Sequence, residues 1–361
     1  MGHTESRREN VFLKLMGNHA KRTELRSVGS HTDTACLLSR KLIGQPGAIE
    51  AIAPCIELYR SRLTPEGRPA GIFLLLGPTG TGKTKTAEAL AEVLHGSSKK
   101  LLRIDCGEFQ MEHEVAKLVG APPGYLGHRE TQPVLTQQKL NAAASEACDL
   151  SIVLFDEIEK AAPSMTRLLL GVLDKGALRL GDGTAVNFEK TVIFLTSNLG
   201  AREMNAQLRP DFGFESLTGG GDRGRRLEAI GAHAVRKCLP PEFVNRIDEI
   251  VTYRPLSTET LGAILDSKIR ELQNHIERRL EAEAFRLEVS ARARKFLLQQ
   301  GASEEYGARE LTRCLQRHLI HPLASLVAAG EIGVGALVHA DLDVRRKKIT
   351  VRSDPMMASA C

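Results

Sequence analysis

Apolar and polar positions along the chain change period several times, and each change marks an element. Short unbroken apolar runs stand at 71–76, 151–155 and 191–196. Runs this short and continuous read as strands buried on both faces of a parallel sheet. Residues 100–105 and 249–253 read as two more strands. Between them the spacing turns helical. Ala48, Ile49, Ala51, Ile52 and Ile56 form one stripe running to residue 62, and Ala87, Leu90, Ala91 and Leu94 form another over 85–95. Helices are also predicted over 108–118, 135–148, 163–173 and 225–237, with a hairpin turning at Asp182-Gly183. Strands alternating with helices predict an α/β fold, a parallel sheet covered on both faces.

After residue 256 the pattern becomes mainly helical. Ser257 is placed to cap a long helix with Leu261, Ile264, Leu265, Ile269, Leu272, Ile276 and Leu280 on one face. Helices over 291–300 and 306–329 follow, the last closing at Gly330, and two short alternating runs predict a terminal β-hairpin. The expected organisation is a polar arm at 1–34, a large α/β domain at 35–256, a small helical domain at 257–353 and a tail at 354–361. Within the arm, one or two helical turns are expected around residues 11–16. Gly219-Gly220-Gly221 is expected to be a flexible loop.

One loop organises all of this. Gly77-Pro78-Thr79-Gly80-Thr81-Gly82-Lys83-Thr84 follows the strand at 71–76 and opens the helix at 85–95. In that context a G-x-x-x-x-G-K-T segment is a phosphate-binding loop. Its glycines allow backbone N–H groups to curl around a phosphate, and the following helix points its positive end at the same anion. Lys83 would reach the β- and γ-phosphates, and the Thr84 hydroxyl would help hold Mg²⁺. The chain is therefore expected to bind a nucleoside triphosphate, ATP, with Mg²⁺.

Two further strand ends fall on the edge where ligands bind in such sheets. Asp156 would hold the metal through water, and Glu157 would act as general base toward the attacking water. Asn198, ending the neighbouring strand, can orient the same water without competing for its proton.

Composition narrows the partners. The 361 residues are 42% hydrophobic and 26% charged, ordinary for a soluble protein. No apolar run approaches the roughly 20 residues of a membrane helix. The start lacks a secretory pattern, since Val11-Phe12-Leu13 is followed at once by Lys14. A cytoplasmic location and no membrane partner are expected. The seven cysteines are scattered and never in C-x-x-C spacing, so neither a disulfide framework nor a zinc site is expected. The net charge of +5 is a mild excess. With no tryptophan and 4% aromatic residues, stacking platforms for nucleic acid are not evident.

Seven segments now stand in a recognisable order. They are Leu42-Ile43-Gly44-Gln45, the phosphate loop, Gly120-Ala121-Pro122-Pro123-Gly124-Tyr125, Leu154-Phe155-Asp156-Glu157-Ile158-Glu159-Lys160, Thr196-Ser197-Asn198-Leu199-Gly200, Pro241 to Asp248, and Tyr306-Gly307-Ala308-Arg309. Across about residues 35–353 the chain resembles the AAA+ P-loop module of Clp-class protein unfoldases, in the manner of the second module of ClpA, ClpB and ClpC. The resemblance implies a homo-hexameric ring with nucleotide at each subunit interface. It implies that Arg246 reaches the γ-phosphate of a neighbouring subunit, that Arg309 contacts nucleotide in its own subunit, and that backbone at Leu42 and Ile43 holds the adenine. Tyr125 and Leu126 match the family's central-pore loop, which grips polypeptide. His128-Arg129-Glu130-Thr131-Gln132-Pro133 departs from the family's Tyr and Glu-Glu-Gly-Gly continuation, predicting a less acidic, stiffer pore mouth. Phe212-Gly213-Phe214 looks similar to the tripeptide by which peptidase-coupled relatives dock onto a ClpP-like barrel.

Neither an amino-terminal receptor domain nor a second ATPase module accompanies the segment, so it is expected to act as a single module. The leading expectation is a remodelling ring that threads protein substrates. The alternatives are a nucleotide-switched assembly factor that does not thread, and a nucleic-acid motor.

Overall fold

Three strands made almost wholly of apolar residues must bury both faces, and they do so at the centre of one five-stranded parallel sheet whose edge strands are more polar. In the computed structural model, residues 34–120, 133–208, 220–302 and 307–354 are described. The strands are β1 (Gly71–Leu76), β2 (Leu102–Asp105), β3 (Ser151–Asp156), β6 (Thr191–Ser197) and β7 (Glu249–Thr252). Their order is β2-β3-β6-β1-β7, and every neighbouring pair is parallel. Alternation along β1 divides the core. Ile72, Leu74 and Leu76 join one apolar cluster, and Phe73 and Leu75 join the other. Register places Phe73 opposite Phe194, and their rings stack with centroids 5.6 Å apart. The antiparallel pair β4 (Ala177–Arg179) and β5 (Ala185–Asn187) forms the hairpin expected around Asp182-Gly183.

A third cluster is separate. The long helix Thr258–Leu280 is capped by Ser257, whose Oγ accepts from the Thr260 N–H at 3.1 Å. Leu261, Leu265 and Ile269 pack with Leu297, Leu311 and Val338. The C-terminal hairpin pairs β9 (Leu337–Asp343) with β10 (Lys348–Asp354). A strand absent from the sequence reading, β8 (Arg286–Val289), runs parallel to β9. Four residues of alternating exposure carry too little pattern to stand out, and only their pairing makes them a strand.

Several predicted helices differ. Residues 108–118 form a 3₁₀ turn at Cys106–Glu108 and a short helix at Ala116–Val119. Asp105 takes the Gly107 N–H at 2.8 Å, and that local bond competes with helix propagation. Residues 135–148 contribute only Gln137–Ala142, after which Ser145 and Cys148 bridge each other. The helix expected from Arg225 begins instead at Gly220 and runs to Cys238, so Gly220 and Gly221 lie within it. The last predicted helix is continuous from Gly307 to Ala328 but contains a π-turn at Gln316–Ile320. The predicted turns around residues 11–16 lie outside the described residues.

Candidate nucleotide site

The carboxyl ends of β1, β3 and β6 meet at one cleft of about 460 Å³. Apolar Leu42, Ile43, Leu256 and Ile264 contribute to its walls, as do the loop residues Thr79 to Thr84. Gly77, where β1 passes into the loop, has φ +142°, and a Cβ there would lie 2.7 Å from the Tyr253 carbonyl oxygen. A side chain would therefore push the loop off β7. Gln45 is buried and secures the other flank. Its Nε2 donates to the Thr81 carbonyl at 3.2 Å and the Arg254 carbonyl at 2.8 Å.

Lys83 is buried at the start of the helix Lys83–His95. Its Nζ donates to the Gly77 carbonyl at 2.6 Å, the Pro78 carbonyl at 2.8 Å and Asn198 Oδ1 at 3.0 Å. Burial lowers this ammonium to about 8; Arg309 pushes the same way, while Glu159, Asp156 and Glu157 oppose it. A cation held inside a curl of backbone is the complement of a phosphate group.

Asp156 is buried at the end of β3. Its Oδ1 accepts from Thr196 Oγ1 at 2.5 Å and Thr84 Oγ1 at 3.3 Å, and its Oδ2 accepts from Arg103 at 2.5 Å. Thr84, Thr196 and Asp156 thus present an all-oxygen set of the kind that suits a hard divalent cation. Among the described residues no group of three or more His, Cys, Asp or Glu side chains could hold a metal. A cation here would need phosphate oxygens to complete its shell, as Mg²⁺ sites commonly do.

Glu157 follows with φ +59° and ψ +54°, a left-handed conformation that non-glycine residues rarely take. Its N–H donates to Thr196 Oγ1 at 3.0 Å, which holds this turn against β6. Its carboxylate pairs with Lys160 and accepts from Asn198 Nδ2 at 3.3 Å. Asn198 therefore stands between Lys83 and Glu157, with the Asn198 N–H donating to Glu159 Oε1 at 2.9 Å.

Across the cleft, Arg309 belongs to the smaller helical unit. The preceding Gly307 has φ +50°, and a Cβ there would lie 2.8 Å from the Gly80 carbonyl oxygen. That close approach lets the Ala308 N–H donate to the same carbonyl at 3.0 Å. Arg246 lies elsewhere. It is half-exposed and paired through Nε with Asp174 at 2.9 Å, outside the cleft lining. The neighbouring Asp248 accepts from the Ile72 N–H at 2.9 Å and pairs with Arg68, which anchors the segment to β1.

The cleft thus gathers Leu42, Ile43, the loop, Asp156, Glu157, Asn198 and Arg309, and leaves Arg246 on the outside. Tyr125-Leu126 and Phe212-Gly213-Phe214 lie outside the described residues. Sequence pattern alone assigns no role to Gln45, Arg103, Glu159, Lys160 or Thr196. Gln45, Glu159, Lys160 and Thr196 lie inside the motif segments, where a polar residue beside an apolar run is the available signal. Arg103 offers none, being one basic residue in a predicted strand. No helix among the described residues is long and apolar enough to cross a membrane.

Comparison with known proteins gives the family. The AAA domain (Cdc48 subfamily) model matches residues 68–250, and the C-terminal D2-small domain model of ClpB protein matches residues 256–340. The chaperone protein ClpB of Meiothermus ruber is 40% identical over 299 residues, covering 83% of this chain and 33% of that protein. The chaperone protein ClpB of Corynebacterium diphtheriae is 38% identical over 307 residues, covering 85% and 32%. The S. cerevisiae Hsp104:casein complex in its extended conformation superposes with a TM-score of 0.74 at 28% identity, covering 91% of this chain and 55% of that one. The closed state of Hsp104 with ATPγS and FITC casein gives 0.72 at 30% identity, covering 88% and 51%. The chain spans about a third of the length of the ClpB relatives it matches. By its matched domains and its site, the chain belongs to the Clp-class AAA+ ATPases.

Proposed function

We propose that the chain hydrolyses ATP and uses the cycle to remodel protein substrates by drawing them past Tyr125 and Leu126 in a homo-hexameric ring. The observation that carries the first half is the meeting of Lys83, Asp156, Glu157, Asn198 and Arg309 at one cleft. Lys83 would exchange its two loop carbonyls for the β- and γ-phosphates, and Leu42 and Ile43 would flank the base. Mg²⁺, held by Thr84 and Asp156, would neutralise phosphate charge. Glu157 takes a proton from the attacking water, and Asn198, fixed between Lys83 and Glu157, keeps that water in line. Lys160 ties up the Glu157 carboxylate in this arrangement, so the base must leave it before it can act.

Arg309 would read nucleotide within its own subunit. Arg246 is half-exposed and outside the lining of its own cleft, which suits an arginine offered to a neighbour. A pair with Asp174 in which each side chain is 44% exposed is a weak restraint, so contact with a partner could release it. The threading half rests on the likeness to a casein-bound Hsp104 and on Tyr125-Leu126 in their Gly/Pro-rich segment. No described residue and no relative's name supports docking of a ClpP-like peptidase, and that partner is not proposed.

The experiment is ATP turnover of the full chain with and without an unfolded protein such as casein, and separately with DNA. Stimulation by unfolded protein alone is expected. Stimulation by DNA alone would turn the reading to a nucleic-acid motor. Turnover indifferent to both, with a partner captured only in the ATP state, would favour a switch that does not thread.

A further inference from the structure

Glu159 sits two residues beyond Glu157 in the 3₁₀ turn Ile158–Lys160, and its two oxygens differ. Oε1 accepts from the Asn198 N–H at 2.9 Å. Oε2 is fully buried and meets no donor among the described residues. A buried acceptor left this way is costly, and native structures rarely keep one without a role. The nearby ammonium groups are engaged elsewhere. Lys83 serves two loop carbonyls and Asn198 Oδ1, and Lys160 serves Glu157. Of the carboxylates around Lys83, Glu159 does most to hold its charge.

Asn198 is the hub of this arrangement. Its side chain bonds Lys83 on one side and Glu157 on the other, while its backbone hangs on Glu159. A shift of that backbone would misalign the phosphate-binding lysine and the base together. We propose that Glu159 is a positioning residue for hydrolysis: its Oε1 fixes the Asn198 backbone, and through it the side chain that joins Lys83 to Glu157, while Oε2 is left sealed to keep that contact. The inference rests on the hydrolysis proposed above.

Variants of the full chain test the contact. Glu159→Ala should bind nucleotide like the parent but lose protection of the Asn198 amide from hydrogen exchange. Its kcat should fall roughly 10–100-fold, the scale of outer-shell losses, with KM unchanged. Glu159→Gln keeps an acceptor for the Asn198 N–H and should recover both the amide protection and most of the turnover that Glu159→Ala loses. Glu159→Ala combined with Asn198→Ala should cost no more than the worse single variant, because the two act as one unit.

Parent-like kcat in Glu159→Ala would overturn the role of Glu159 in turnover. A loss of nucleotide affinity that accounts for the whole loss of turnover would reduce Glu159 to a binding or folding residue. Should the parent chain show no turnover, hydrolysis itself fails and the role of Glu159 in it falls with it. Amide exchange still decides the contact, since an Asn198 amide that stays protected in Glu159→Ala removes it.

Discussion

The two ends of the central sheet each carry a hollow, and the larger one has the less purposeful chemistry. At the amino ends of β3 and β6, a cavity of about 630 Å³ is lined by Lys100, Asp149, Ser151, Lys190 and Thr191 among others. Its charges are consumed locally. Lys190 pairs with Asp149 at 2.7 Å, Tyr59 donates to the same carboxylate at 2.8 Å, and Lys100 donates to the Ala144 carbonyl at 3.0 Å. At the carboxyl ends, the cleft of about 460 Å³ gathers an ammonium in a curl of backbone, a buried aspartate and a strained glutamate. Volume does not distinguish a site from a hollow; convergence of strained and desolvated groups does.

The contrast can be tested by injuring each end. The largest effect is expected from Glu157→Gln, which keeps shape and removes the base. Turnover should fall about 10²–10⁴-fold while ATP stays bound, read by steady-state hydrolysis beside retention of labelled nucleotide. Turnover equal to the parent's would place the base elsewhere. Gly307→Ala comes next. Its Cβ meets the Gly80 carbonyl oxygen at a backbone angle that alanine disfavours. A strain of about 1–3 kcal/mol should weaken nucleotide binding by roughly the tenfold that each 1.4 kcal/mol represents, measured by titration with a fluorescent ADP.

A third effect depends on pH. Burial lowers Lys83 to about 8, so its free-protein charge is present below that pH and lost above it. Nucleotide affinity should therefore be level on the acid side of 8 and fall about tenfold per pH unit beyond it, since one proton is then taken up on binding. For folding the sign is opposite. The unfolded ammonium keeps its proton to higher pH, so the cost of burying the charge is present below 8 and relieved between 8 and 10.5. Lys83→Met should flatten the affinity profile, and a slope that persists in that variant would assign the titration to another group. The smallest effect belongs to the opposite end. Lys190→Met breaks an exposed pair worth less than about 1 kcal/mol, so the urea midpoint should barely move and turnover should stay at the parent level.

These two ends were unequally legible in the sequence. Unbroken apolar strands announced β1, β3 and β6, because both faces of each are buried and no polar residue interrupts them. Lys83, Thr84 and Asp156 followed from the loop and the strand end. What did not follow were bonds between residues distant in the chain. Thr196 reaches Asp156 across 40 positions, and Gln45 reaches Arg254 across 209. Local pattern carries no trace of such pairs; only the strand order β3-β6-β1-β7 brings them together. The overextended helix at 108–118 failed for a related reason, since Phe109 and Val115 face the core from turns rather than from one helical stripe.

The bond from Ala308 to the Gly80 carbonyl has a mechanical consequence. Gly80 belongs to the loop whose Gly77 and Pro78 carbonyls hold Lys83, and Ala308 stands at the root of a continuous helical run ending at Ala328. A rod of 22 residues is about 33 Å long at 1.5 Å per residue, so a 10° tilt at its root would carry the far end through about 6 Å. The contact at Gly307 and Ala308 is then a fulcrum, and the helix is a pointer that turns a small change at the loop into a large one at Ala328.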